Sequence, residues 1–314
     1  SSYFVGLSHP PIYTVFTGAV HYPVDYLYYL SYIAQGKFHW FTSTNLFNNE
    51  PMKKEILNWM YVFGGHIGSI FQLSPPVIYL IMLVLASILY LAVAYKCTAI
   101  LMPKNRSKQL LFYVLFLLSN AFPRIYESGG SWIFSYYYPW NNIGHPFMRM
   151  SNVPHHLVIQ ACIMAAFYLF IAYRQGKKRK YLAGLAITAI LLSSMQPLQW
   201  AFVAGVLGIS GSIIPTGIFF LSGLPFALYF RQFFSLPPYQ YTITWENLQQ
   251  IHIPFWHFIR IHGPLMILAL IGLVPVIRKR NRSIFPLILY SIIATVLFFS
   301  PIPEKMHILN LRFF

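Results

Sequence analysis

Long apolar stretches alternate with short polar ones along most of this 314-residue chain. They fall at residues 77–101, 110–123, 154–173, 181–196, 200–212, 213–230, 260–277 and 284–300. Most approach the length of roughly 17–25 residues that a helix needs to cross the hydrocarbon core of a bilayer. The pattern predicts an all-α fold, a polytopic transmembrane helical bundle of about eight crossings over residues 77–314. The stretches 200–212 and 213–230 share one uncharged turn, so a re-entrant pair or one kinked helix is an alternative there.

Residues 1–76 have a different texture. The segment 24–35, VDYLYYLSYIAQ, reads as a helix with Asp25 at its start and Gly36 at its end. A second helix is predicted within 50–71, opened by Pro51 and carrying Ile56, Met60, Phe63 and Ile67 on one side. Both mix polar residues into an apolar face, which suits amphipathic helices lying along a membrane surface.

Composition supports the bilayer as the solvent. Hydrophobic residues make up 57% of the chain and charged ones only 9%, against about a quarter charged in a soluble domain. The net charge of +16 would suit nucleic acid, but its distribution does not. Three short runs, Lys104–Lys108, Arg174–Lys180 and Arg278–Arg282, hold 12 of the 22 basic residues. Basic residues in short loops stay cytoplasmic, so the charge reads as topology and no nucleic-acid partner is expected. Residues 1–76, 124–153, 231–259 and 301–314 then face the other side, the first of them as a long extracytoplasmic loop. All six acids fall in those outer segments, and all eleven histidines lie there or within a turn of them. Candidate chemistry is therefore extracytoplasmic. Cys97 and Cys162 sit singly in apolar runs and make no disulfide framework. The chain opens on Ser-Ser and stops at LRFF, which reads as a piece of a longer protein.

Few residues carry chemistry. Asp25 is the only aspartate, and Tyr28, Tyr29 and Tyr32 share its helix face. It is a helix-capping residue or, in a partly dry aromatic pocket, a general base toward a hydroxyl. Glu50 is a second acid, a metal ligand beside Asp25, or a helix-start residue favoured by the dipole. Glu127 and Glu246 read as solvated or arginine-paired. Within 131–149, Trp140, Asn141, His145 and Arg149 belong to an aromatic and amide-rich stretch that suits either a sugar ring or an interfacial aromatic belt. His155 and His156 open a helix but point about 100° apart, which is unsuited to a metal pair. No HExxH, Cys pair or phosphate-cradling GxxxxGK[ST] occurs. Arg312, with Arg124, Arg149, Arg231 and Arg260, flanks the outer ends of crossings, where arginines bind phosphate or anchor to headgroups.

This arrangement resembles the GT-C superfamily of polytopic membrane glycosyltransferases. The resemblance is carried by VDYLYYLSYIAQG in the first loop, NVPHHLVIQ at a helix start, IPFWHFIRIHGPLMILALIGL, and the near-terminal NLRFF. It also extends to uncharacterised bacterial membrane proteins near that class. It implies a sugar donor on a polyprenyl phosphate, used at the outer face of a bacterial inner membrane. Asp25 would be the base toward the acceptor or a ligand of an assisting divalent metal ion. Arginines such as Arg312 would meet the donor phosphate, and Tyr29 and His155 would line the substrate site. The first loop departs from the family pattern, because Asp25 is followed by Tyr26 and Leu27 with no adjacent second acid. Metal assistance therefore stays open. The competing class is a transporter or flippase for a lipid or small solute, favoured by Pro215 and Pro225 within 213–230.

Overall fold

In a computed structural model of the chain, the described residues are 23–47, 52–102, 105–118, 123–136, 153–237, 239–250, 252, 254–278 and 284–308. They are mostly helical. In chain order the elements are α1 (Pro23–Gln35), α2 (Trp59–Ile70), α3 (Pro75–Leu101), α4 (Arg106–Leu118), β1 (Pro123–Ser128), β2 (Ser131–Tyr136), α5 (Pro154–Gly176), α6 (Arg179–Met195), α7 (Pro197–Ile209), α8 (Ile213–Phe233), α9 (Tyr241–Leu248), α10 (Phe255–His262), α11 (Pro264–Arg278), α12 (Phe285–Phe299) and α13 (Ile302–Lys305). The chain divides into two compact units, residues 1–91 with 149–158, and residues 92–148 with 159–314.

Helices lie within each of the eight apolar stretches, and among the described residues three are long and apolar enough to cross a membrane: α3, α5 and α8. Their 27, 23 and 21 residues reach about 40, 35 and 32 Å, against a hydrocarbon core of about 30 Å. The apolar helices α7 and α12 have 13 and 15 residues, about 20 and 22 Å. Helix α3 shows how such a helix is read. Ile78, Tyr79, Leu83, Ala86, Tyr90 and Ala94 form its buried stripe, while Val84, Leu85, Ile88 and Leu89 stand exposed on the other side. An apolar face turned outward is a liability in water and neutral in lipid.

In the first unit, α1 and α2 pack through glycine. A Cβ at Gly65 would strike the Ile33 carbonyl oxygen, and one at Gly36 would strike the Val62 carbonyl. The two backbones therefore touch, as in membrane helix pairs built on small residues. Gly64 and Gly68, one turn apart on α2, lie against Met82 and Ile78 of α3. Helix α2 is thus clasped between α1 and α3. It starts later than the sequence pattern predicts. Residues 52–58 form an extended and turning segment in which Glu55 pairs its backbone with Ser43, at 2.8 and 2.9 Å. The buried positions on α2 are Tyr61, Val62, Gly65 and Gly68, while Met60 and Phe63 are half-buried and Ile67 is exposed. The helix ends in a Schellman turn, with Gln72 at φ 55° and the Leu73 N–H donating to Gly68 O at 3.0 Å.

The second unit centres on α6, α7 and α8. Trp200 of α7 is seated on Gly223 of α8, where a Cβ would meet the indole, and its Nε1–H donates to the Phe219 carbonyl at 3.2 Å. Pro215 and Pro225 do not break α8, which runs as one helix across both. Tyr290 of α12 donates to Gln199 of α7 at 3.3 Å and packs against Phe167 and Phe202. The antiparallel hairpin of β1 and β2 was not foreseen. Its two-residue turn is Gly129-Gly130, at φ 60° and 77°, the positive φ pair that tight hairpins require.

Gly65→Ala is expected to lower stability by about 1–3 kcal/mol, because its Cβ meets backbone that cannot turn aside. Gly205→Ala, whose Cβ meets open space, is expected to be neutral or to stabilise by up to about 1 kcal/mol. Thermal unfolding of the two variants in detergent checks both; equal destabilisation would refute the backbone contact.

Candidate functional site

The first unit gathers the polar side chains. Helix α1 turns Tyr32 fully inward and leaves Tyr28 and Tyr29 half-buried. The extended segment before α2 sends Glu55 in to meet them, and Glu55 is 1% exposed. Tyr32 Oη stands 2.9 Å from Glu55 Oε1 and 2.7 Å from Tyr28 Oη, and Asn58 Nδ2 donates to Tyr28 Oη at 3.4 Å. A hydroxyl has one proton and two acceptor positions, so this cluster is a chain in which the buried carboxylate is the terminal acceptor. Burial pushes the Tyr32 and Tyr28 hydroxyls up from their ordinary pKa, and the charge of Glu55 adds to it. Both stay protonated at any physiological pH. A second side-chain clamp holds the loop after α1, since the Gln35 amide pairs with both the N–H and the C=O of Thr44 at 2.9 Å.

Beside this network lies an imidazole cluster. Tyr61 of α2 is buried, stacks on Tyr29 with centroids 4.6 Å apart, and pairs its hydroxyl with His155 Nδ1 at 2.8 Å. His155 meets the edge of Tyr29 at 5.3 Å, and the exposed His156 ring lies 4.3 Å from it. Tyr79 closes the cluster against Tyr61 and Tyr26. Tyr29 and His155, far apart in sequence, are thus brought into contact.

Asp25 stands at the rim of these rings. It lies in the first turn of α1, where the helix dipole favours its charge, and its side chain is exposed. Among the described residues it makes no hydrogen bond or ion pair. Partial burial nonetheless raises its pKa above 3.8, and its charge is felt at the Tyr28 and Tyr61 hydroxyls. The structure therefore divides two acids by role. Glu55 is buried and accepts from Tyr32 at Oε1, whereas Asp25 keeps its carboxyl at the surface.

Comparison with known proteins finds no matching family model, no matching curated protein and no matching solved structure. The resemblance to GT-C transferases stands on the sequence features alone.

Glu50, Trp140, Asn141, His145, Arg149 and Arg312 lie outside the described residues. Glu127 is exposed on the hairpin and Glu246 is half-buried on α9. Among the described residues, no group of three His, Cys, Asp or Glu side chains is placed to hold a metal ion. Sequence reasoning passed over Glu55 and Tyr61. Glu55 follows Lys53-Lys54 and resembles a solvated charge; only the Ser43 pairing turns it inward. Tyr61 sits in WMYVFGGHIG, where its glycine neighbours were the available signal.

Tyr32→Phe removes a hydrogen bond to a buried charged group, so we expect a loss of about 1.5–3 kcal/mol in thermal or denaturant unfolding. A loss within error would show the Glu55 network to be slack. For Asp25, the raised pKa means that the native state holds its proton more tightly than the unfolded chain. Its contribution is complete below about 3.8 and is lost as pH rises through the native value. Unfolding midpoints of wild type and Asp25→Asn should therefore diverge as pH rises from acid, the wild type falling relative to the variant; parallel curves would refute the desolvation.

Proposed function

We propose that this chain is a polytopic membrane protein of GT-C type, transferring a sugar from a polyprenyl-phosphate donor at the extracytoplasmic face. A bacterial inner membrane is the setting that the resemblance favours. The observation that supports the reading is Asp25, an exposed carboxyl with a raised pKa at the edge of an aromatic and imidazole cluster. A base must be reachable by substrate and basic enough to accept a proton, and Glu55 fails the first condition.

In the proposed reaction an acceptor hydroxyl oxygen attacks the anomeric carbon of the donor. The bond from that carbon to the phosphate oxygen breaks, and the polyprenyl phosphate leaves with the electron pair. The acceptor proton passes to Asp25. Tyr29 and His155 offer a ring face and a nitrogen on which a sugar can be oriented, and rigid placement of the two reactants supplies much of the rate. Arg149 and Arg312 are assigned to the leaving phosphate by the resemblance. The membrane topology in this reading takes the eight apolar helices as crossings, the shorter ones tilted little or meeting a locally thinned bilayer. The transport alternative drew on a break in the 213–230 segment, and α8 is continuous there.

In vesicles reconstituted with the full chain and a panel of polyprenyl-phosphate sugars, Asp25→Asn should lower transfer by about 10²–10⁴-fold. Its unfolding midpoint near neutral pH should not fall. Undiminished transfer by the variant would end the catalytic role of Asp25, and solute flux without product in the wild type would move the protein to the transport class.

A further inference from the structure

In the second unit, the end of α3, the end of α5 and the start of α6 line an open groove of about 410 Å³. Its walls are graded. Ala99, Ile100, Ala172 and Tyr168 supply apolar surface, while Lys96, Gln175, Lys178 and Tyr181 supply polar ends. Lys96 lies five residues before the end of α3, about 7.5 Å down the helix. Its ammonium can reach the polar boundary while its stem lies on apolar wall. Lys178 sits at the start of α6, where the groove opens.

The charge here is one-sided. Apart from Glu127 in the hairpin, no acid occurs between residues 56 and 245. Neighbouring cations are already engaged: Arg174 lies over the Phe170 ring and donates to Ser210 O at 3.4 Å, Lys177 lies over Tyr173, and Lys180 lies over Tyr181. Lys96 and Lys178 are the exposed pair left facing the groove. Two ammonium groups, the Tyr181 hydroxyl and the Gln175 amide are donors matched to phosphate oxygens. The apolar walls beside them suit the first carbons of acyl chains. We infer that this groove binds the phosphate of an anionic phospholipid, on the cytoplasmic side that the basic run Arg174–Lys180 implies. The inference rests on α3 and α5 spanning the bilayer and not on sugar transfer.

The test is native mass spectrometry of the full chain in detergent, titrated separately with phosphatidylglycerol, phosphatidylcholine and free glycerol phosphate. Wild type should retain phosphatidylglycerol over phosphatidylcholine. Lys96→Gln with Lys178→Gln should weaken that retention about tenfold more than the charge-matched Arg106→Gln with Lys108→Gln. Lys96→Arg with Lys178→Arg should keep most of it, which separates lost charge from lost fold. Equal losses in the two Gln variants would reduce the effect to general surface charge and overturn the site. Equal binding of both lipids would overturn it as well. Free glycerol phosphate binding as tightly as the lipid would replace the membrane source with a soluble one and overturn the lipid assignment.

Discussion

The contact on which the first unit depends is backbone against backbone. Where Gly65 meets the Ile33 carbonyl and Gly36 meets the Val62 carbonyl, the backbones of α1 and α2 are in direct contact. Hydrophobic side chains between them would hold the axes apart. At this separation the tyrosines of α1 reach across the neighbouring helix. Tyr29 stacks on Tyr61, and Tyr32 reaches the carboxylate delivered by the chain before α2. The aromatic cluster and the buried acid follow from two missing methyl groups.

Burial of Glu55 has a cost that its surroundings answer at Oε1. A carboxylate removed from water needs donors, and Tyr32 supplies one directly. The backbone pairing with Ser43 fixes where the chain enters the cluster, so the acid cannot swing out without breaking a bridge. Asp25, two turns earlier along the same tyrosine-bearing helix, needs no such support because water still reaches it. The contrast between a structural acid and an available one is set by solvent access.

The apolar helices were legible in the sequence because lipid-compatible stretches need no partner to declare them. Helix α1 was legible too, with its ends close to Asp25 and Gly36. Helix α2 was displaced, since a run such as Pro51 to Asn58 carries helical periodicity that a long-range pairing at Ser43 overrides. Its packing face was not foreseen for a related reason. Periodicity weighs side chains by hydrophobicity, and a glycine used for approach carries almost none. The hairpin was hidden in an aromatic stretch whose Gly129-Gly130 pair is a turn signal in its own right. The site was less legible: Tyr29 and His155 meet in the structure, which neither the shared face of α1 nor the helix start at Pro154 announced, and Tyr61, which joins them, has no sequence mark beyond its neighbours.

The short Schellman turn at Gln72 leaves α2 and α3 almost contiguous, and Gly64 and Gly68 press α2 onto the first turns of α3. The place of Tyr61 is thus set by α3 as much as by its own helix, because sliding α2 along α3 would lift Gly64 and Gly68 off Met82 and Ile78 and part Tyr61 from Tyr79.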